Sequence, residues 1–342
     1  MVKDENSAHI KWYRTPLGRQ TLAGLNTRSD AKGFLQTLGH LGLMSLTGGL
    51  ALHAVGRWPW WTILSFLFLH GTLASFMINA VHELVHRSVF RTQLFNDLFV
   101  RVFAFLGWIN FKHFSASHMR HHQFTLHPPD DLEVVLPIRL MAQQFFQTGF
   151  INVRGGYDVL RTAVRHARGK FEGEWEKKLF PLEQPEKGRP VVLWARTLIA
   201  GHVIILVISV YLGWWLLPVL TGLAPFYGSW LFFLCNNTQH IGLQDNVPDF
   251  RLCCRTFTVN PLVEFVYWHM NYHTEHHMYA AVPCYNLVAL HRAIKHELPP
   301  TPHGLHATWR EIAAILRIQK VLPDYQHIVP LPQTTSSAAR VR

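Results

Sequence analysis

Two stretches in the first quarter of the chain carry no charged residue, Phe34 to Val55 and Trp58 to Val81, with only Gly56 and Arg57 between them. Each is long enough to cross a hydrocarbon layer of roughly 30 Å as a helix, so the pair reads as a transmembrane hairpin. From Thr197 to Cys235 the chain again lacks Asp, Glu, Lys and Arg, and Gly213, Pro218, Gly222 and Pro225 fall near the middle, where a second hairpin would turn. Trp58, Trp60, Trp61, Trp214 and Trp215 cluster at both turns, as interfacial aromatics do. A further apolar stretch, Leu98 to Phe114, is interrupted by Arg101 and Lys112 and reads as an interfacial or partly buried helix that does not cross. The pattern predicts an all-α integral membrane protein with four spans, at about 34–55, 58–81, 191–212 and 215–235.

Basic residues orient this arrangement. The segment 1–33 and the stretch from Arg87 to Arg189 are rich in Lys and Arg, whereas the hairpin turns hold Arg57 or nothing. Both hairpins therefore point away from the cytosol and the rest forms a cytosolic cap, in a bacterial inner membrane or the endoplasmic reticulum. The expected organisation is a cytosolic segment 1–33, one membrane domain 34–332 and a disordered tail 333–342. Residues 161–178 read as a charged surface helix. The N-terminus is too long and too charged before its first apolar run for a cleaved signal peptide. A formal charge of +11 is explained by cations flanking spans, and no nucleic-acid-binding pattern accompanies it. The four cysteines, Cys235, Cys253, Cys254 and Cys284, make neither a disulfide framework nor a zinc ribbon, so cysteine is not expected to carry the metal chemistry.

Histidine is where chemistry concentrates. His82 and His86 directly follow the second span, four residues apart, which on a helix puts both rings on one face. His118, His121 and His122 repeat the arrangement as H-x-x-H-H, as do His273, His276 and His277, and His240 follows the fourth span. Every cluster falls at the cytosolic end assigned from charge alone, so distant segments can meet without crossing the bilayer. Nine imidazoles exceed the three or four ligands of a zinc site, whereas two metals would employ them all, and imidazole is also a good ligand for iron. Iron, O2 and a lipid-like alkyl substrate entering from the membrane fit together.

Other readings compete. HELVH is also H-E-x-x-H, the zinc metalloprotease pattern with Glu83 as general base, but one zinc would leave most of these imidazoles unemployed. In the oxidase reading Glu83 only supports a ligand or lies exposed. A receptor that had lost catalysis would show broken boxes, and all nine positions are intact. Asp130, Asp131, Glu133 and Glu275 could orient ligand imidazoles through their second nitrogen, or be solvated. His40, His53, His70 and His202 lie in apolar spans off the box spacing and are expected to pack between helices or sit at the interface; His113, His127, His269 and His291 are out of register and expected outside the shell.

HELVH (82–86), HMRHH (118–122) and HTEHH (273–277) together resemble the three histidine boxes of the membrane fatty acid desaturase and hydroxylase superfamily. The resemblance covers roughly Trp58 to Leu290. It implies a non-haem di-iron centre using O2 and two external electrons to oxidise an alkyl carbon, with fatty acyl desaturation the leading reaction and hydroxylation the alternative. It further implies that His240 completes the iron shell and that Asn236 is a water-bridged asparagine near it. Where the family commonly has a proline soon after the third box, this chain has Ala280 and Ala281, with Pro283 following. No HPGG haem motif and no four-cysteine cluster is present, so the implied electron donor is a separate protein of cytochrome b5 or ferredoxin type with its reductase.

Overall fold

The structure, a computed structural model, describes residues 10–332; the proposed tail 333–342 lies outside them. Among the described residues every regular element is helical, and only isolated β-bridges occur. Residues 10–33 are not a free segment. Trp12 stacks on Phe250 with ring centroids 4.1 Å apart, and Tyr13 donates to Glu297 at 2.6 Å. After the short α1 (Arg19–Leu25), α2 (Asp30–Ala54) starts at Ser29, whose hydroxyl accepts from the Lys32 amide, with Asp30 against the positive end of the helix. It stops before Gly56, whose φ of +70° turns the chain into Pro59 and α3 (Trp60–Ala74). After a kink at Ser75 and Phe76, α4 (Met77–Val85) continues α3, and the two make 26 residues, Trp60–Val85, long and apolar enough to span.

α5 (Gln93–Leu106) and α6 (Phe111–Phe124) meet at 109°. The stretch Leu98–Phe114, read from sequence as one interfacial helix, is this bend, and the pair makes a third candidate span only if it crosses as one bent unit. α7 (Ala142–Gly149), which packs on the helix at 230–236, is joined by a short turn to α8 (Val153–Ala167), which packs on the helix at 185–212, and α9 (Gly173–Leu179) follows. Residues 161–178 are thus the end of α8, a turn and α9 rather than one surface helix. Gly169 and Gly173 at φ of +71° and +76° make that break. α10 (Pro185–Leu212) covers the expected third span and begins six residues earlier, ending on left-handed Gly213. It is the second of two single helices among the described residues long and apolar enough to cross; α2, over the expected first span 34–55, is a 25-residue helix that does not meet that measure.

The fourth expected span, 215–235, is not one helix. It breaks into α11 (Leu216–Leu220), a single 3-10 turn at Ala224–Phe226 and α12 (Trp230–Asn236). Pro218 and Pro225 remove backbone donors, and the freed groups are answered by side chains and a neighbouring turn, as backbone away from water requires. His70 Nε2 donates to the Leu220 carbonyl at 2.9 Å, Trp108 Nε1 to Gly222 at 2.8 Å and the Tyr227 hydroxyl to Val219 at 2.9 Å. The α7–α8 turn pairs with the same break: Asn152 N donates to Phe226 and Gly228 N to Phe150. His40, expected to pack, accepts from Trp268 Nε1 and donates to Leu73, and His202 stacks on Trp108.

Past α12 the chain forms α13 (Phe250–Cys253), α14 (Pro261–Val266), α15 (His273–Met278), α16 (Leu287–Ile294) and α17 (Gly304–Gln319). One core, built on Phe76, Phe90, Phe103, Tyr267 and Trp268, joins these caps to α3, α4 and α5. It fixes the ends of α4, α6 and α15 against one another, and those ends carry the histidines.

Candidate metal centre

The eight box histidines and His240 meet. The last turn of α4 brings His82 and His86, α6 brings His118, His121 and His122, and α15 brings His273, His276 and His277; His240 follows α12. They divide into two groups. In the first, single ligand nitrogens of His82, His86, His118, His122 and His276 all lie within 4.8 Å of one another. The second contains His240, His273 and His277 together with Cys254 Sγ, at the same mutual reach. His121 stands beside the second group, its ring 5.3 Å from His240 and 5.0 Å from His277. The two groups touch where His122 stacks on His277 at 4.3 Å.

The outward nitrogens define what the inward ones can do. Four Nδ1 atoms face groups that only accept: His82 meets Glu83 Oε1 at 2.9 Å, His118 meets Glu133 Oε1 at 3.0 Å, His121 meets Asp131 Oδ2 at 2.7 Å and His240 meets the Cys253 carbonyl at 2.8 Å. Each of these rings therefore carries a proton on Nδ1, and in His82, His118 and His240, which belong to the compact groups, this leaves Nε2 as the free nitrogen. Those lone pairs face other imidazole nitrogens: His118 Nε2 lies 2.9 Å from His122 Nε2, His122 Nε2 lies 3.1 Å from His276 Nε2, and His240 Nε2 lies 2.9 Å from His273 Nε2. Nε2 of His82, His86 and His277 is buried with no hydrogen-bond partner. Burial, reinforced by the neighbouring imidazoles, holds His273, His276 and His277 well below the usual histidine range, so these rings stay neutral. Buried lone pairs aimed at one another are costly, and a cation between them is the arrangement that satisfies them. The donor set fits two metal ions.

The acidic residues sort themselves by contact. Glu83 is fully buried; it holds His82 and lies 3.5 Å from Nδ1 of His276, on the side of both rings away from the converging Nε2 atoms. Asp131 holds His121 and is itself fixed by the amides of Leu126 and Glu133, while Glu133 holds His118 and pairs with the Ser117 hydroxyl. Asp130 instead pairs with Arg120 and Lys178, each at 2.8 Å, and Glu275 pairs with Thr256 and His291. Neither meets a box imidazole through these bonds, in contrast to the orienting role considered for them from sequence. Asn236 is half-buried at the end of α12. Asp131→Asn is expected to lower metal affinity by about 10–100-fold, the usual effect of losing a carboxylate behind a ligand imidazole; iron retained against a competing chelator measures it.

Of the out-of-register histidines, His127 meets the Thr125 carbonyl, His269 meets Glu264 and His291 meets Glu275. His113 joins His166 and Glu176 in a third compact group. Arg165 already forks both oxygens of that carboxylate at 2.7 and 2.6 Å, so the group works as a clasp between α6, α8 and α9. Cys254 had been set aside with the other cysteines. Its place beside His240 and His273 is made by packing between segments far apart in the chain and has no spacing signature.

A basic opening reaches the centre. His122 is half-buried and lines a cavity of about 750 Å³ whose wall includes Lys112, Arg120, Lys178 and Lys187 beside Met119, Phe180 and Val191.

All-helical described residues, spanning-length apolar helices and two converging imidazole groups define a membrane-type protein with two clusters of candidate metal ligands. The family model described as fatty acid desaturase matches residues 58–309, and the chain belongs to that family. No curated protein sequence matches it.

Proposed function

We propose that the protein is an O2-dependent di-iron oxidase of lipid alkyl chains, acting as a fatty acyl desaturase. Hydroxylation by the same centre is the second reading, since both reactions begin at an alkyl carbon. The observation that carries the proposal is the convergence of bare, buried Nε2 lone pairs in two groups. His82, His86, His118, His122 and His276 would hold one iron, and His121, His240, His273 and His277 the other. Bound iron supplies O2 activation and hydrogen abstraction.

The chain's own residues position and insulate. Glu83, Glu133, Asp131 and the Cys253 carbonyl fix the tautomers of four ligands, and burial shields the ligand imidazoles from water except at His122, which lines the basic opening. The cationic and apolar walls at His122 suit an amphiphile with an anionic head. The electrons come from a separate donor, and the centre lies on the cytosolic face. Glu83 speaks against a zinc protease, because its contacts are with ring nitrogens on the far side from the converging lone pairs, where it cannot activate a metal-bound water.

Detergent-purified protein is expected to contain about two irons per chain and to take up O2 with a reduced donor in the presence of lipid. A product lighter by two hydrogens identifies desaturation, and one heavier by an oxygen identifies hydroxylation. About one zinc and no iron would overturn the reading and make Glu83→Gln the next variant.

A further inference from the structure

The second imidazole group contains a donor that is not an imidazole. Cys254 Sγ lies with ligand atoms of His240, His273 and His277 in a set whose members are all within 4.8 Å of one another, and the residue is 2% exposed. Its position is fixed from both sides. The carbonyl of Cys253, in the peptide just before it, accepts from His240 Nδ1 at 2.8 Å. Just after it, the Arg255 guanidinium is locked on the carbonyls of Thr238 and Ile241 at 2.6 and 3.1 Å. Thr256 then bridges to Tyr272, the residue before His273. One short segment therefore orients a ligand imidazole, presents a thiol and braces the helix that carries two more ligands. Within the same set, His277 Nε2 is buried without a partner, an independent sign that something belongs there.

We propose that Cys254 Sγ is a ligand of the metal held by His240, His273 and His277, an inference that rests on the two-metal reading above. On binding, the metal–sulfur bond replaces the S–H bond and the proton leaves to water, with no change of oxidation state. The only sulfur contact given up is the weak one to Cys253 Sγ, 3.9 Å away. The two irons then differ: one has five imidazoles available, the other imidazoles and a thiolate. A thiolate would push electron density onto the metal it holds, which would make the two sites electronically unequal.

X-ray absorption at the iron edge of the purified holoenzyme, together with its visible spectrum when oxidised, tests this. The expected result is a sulfur scatterer at about 2.3 Å, the thiolate distance known for zinc, and a thiolate-to-iron charge-transfer band. Both vanish in Cys254→Ala and persist in Cys253→Ala, while Cys254→Ala retains iron in the five-imidazole group. An iron-loaded wild type with only nitrogen and oxygen neighbours and no such band overturns this inference and leaves the two-metal reading standing. A wild type that takes up no iron overturns both. Should Cys254→Ala fail to fold, the wild-type spectrum decides alone.

Discussion

His276→Ala and His121→Ala, each purified in detergent, are expected to lose turnover by at least about two orders of magnitude, more than an orienting residue costs, together with bound iron. His276 has no substitute. Its Nε2 lies 3.1 Å from that of His122, its ring lies 4.6 Å from His82, and its outward nitrogen lies 3.5 Å from Glu83. Removing it leaves the buried Glu83 carboxylate with one imidazole neighbour fewer and opens a space inside the first group. His121 tests the second group separately, because its partner Asp131 touches no ligand of the first through the bonds described. Iron measured alongside turnover separates metal loss from misfolding when compared with His53→Ala, which alters an exposed ring on α2 and is expected to keep both. Full activity in His276→Ala and His121→Ala would remove these residues from the centre.

Gly71→Ala is expected to be the most damaging single methyl in the helical bundle. A Cβ there would lie 2.1 Å from the Tyr227 carbonyl oxygen and 2.3 Å from its ring, so α3 and the broken segment must move apart. Overpacking of this kind costs on the order of 3 kcal/mol or more when the obstacle is backbone rather than the end of a flexible side chain. The separation would also strain the bonds that answer the break, including His70 on Leu220 and the Phe150 contact of Gly228. The thermal transition of the purified variant measures the loss. An unchanged transition would mean that the two segments do not approach so closely. Gly49→Ala, with nothing within 4 Å of the added carbon, is the matched control.

The contrast between His276 and Gly71 also shows what the sequence made legible. Box spacing is local geometry: residues three and four apart share a helix face, so His118, His121 and His122 announce a common direction before any fold is known. The basic flanks and charge-free runs similarly mark α3–α4 and α10. The fourth span was misjudged because hydropathy counts side chains and is silent on whether each backbone group has a partner; only the arrival of His70, Trp108 and Asn152 from elsewhere allows the interruption at 216–230. Among four nearby acids, Asp131 and Glu133 hold ligands while Asp130 and Glu275 face elsewhere. That choice is made by the turn after α6 and by Thr256, Arg120 and Lys178, which no spacing rule reports. Cys254 was invisible for the same reason.

The broken segment differs from the continuous spans in what holds its shape. A continuous apolar helix can partition into lipid alone, because its backbone is satisfied within itself. Residues 216–236 cannot: several of their carbonyl and amide groups find partners only on α3, at Trp108 and in the α7–α8 turn. Those partners are present only when the other elements are, so the segment holds this broken shape as part of the bundle and not by itself. The same segment leads directly into His240, so the break that the bundle satisfies also sets where one imidazole of the second group sits.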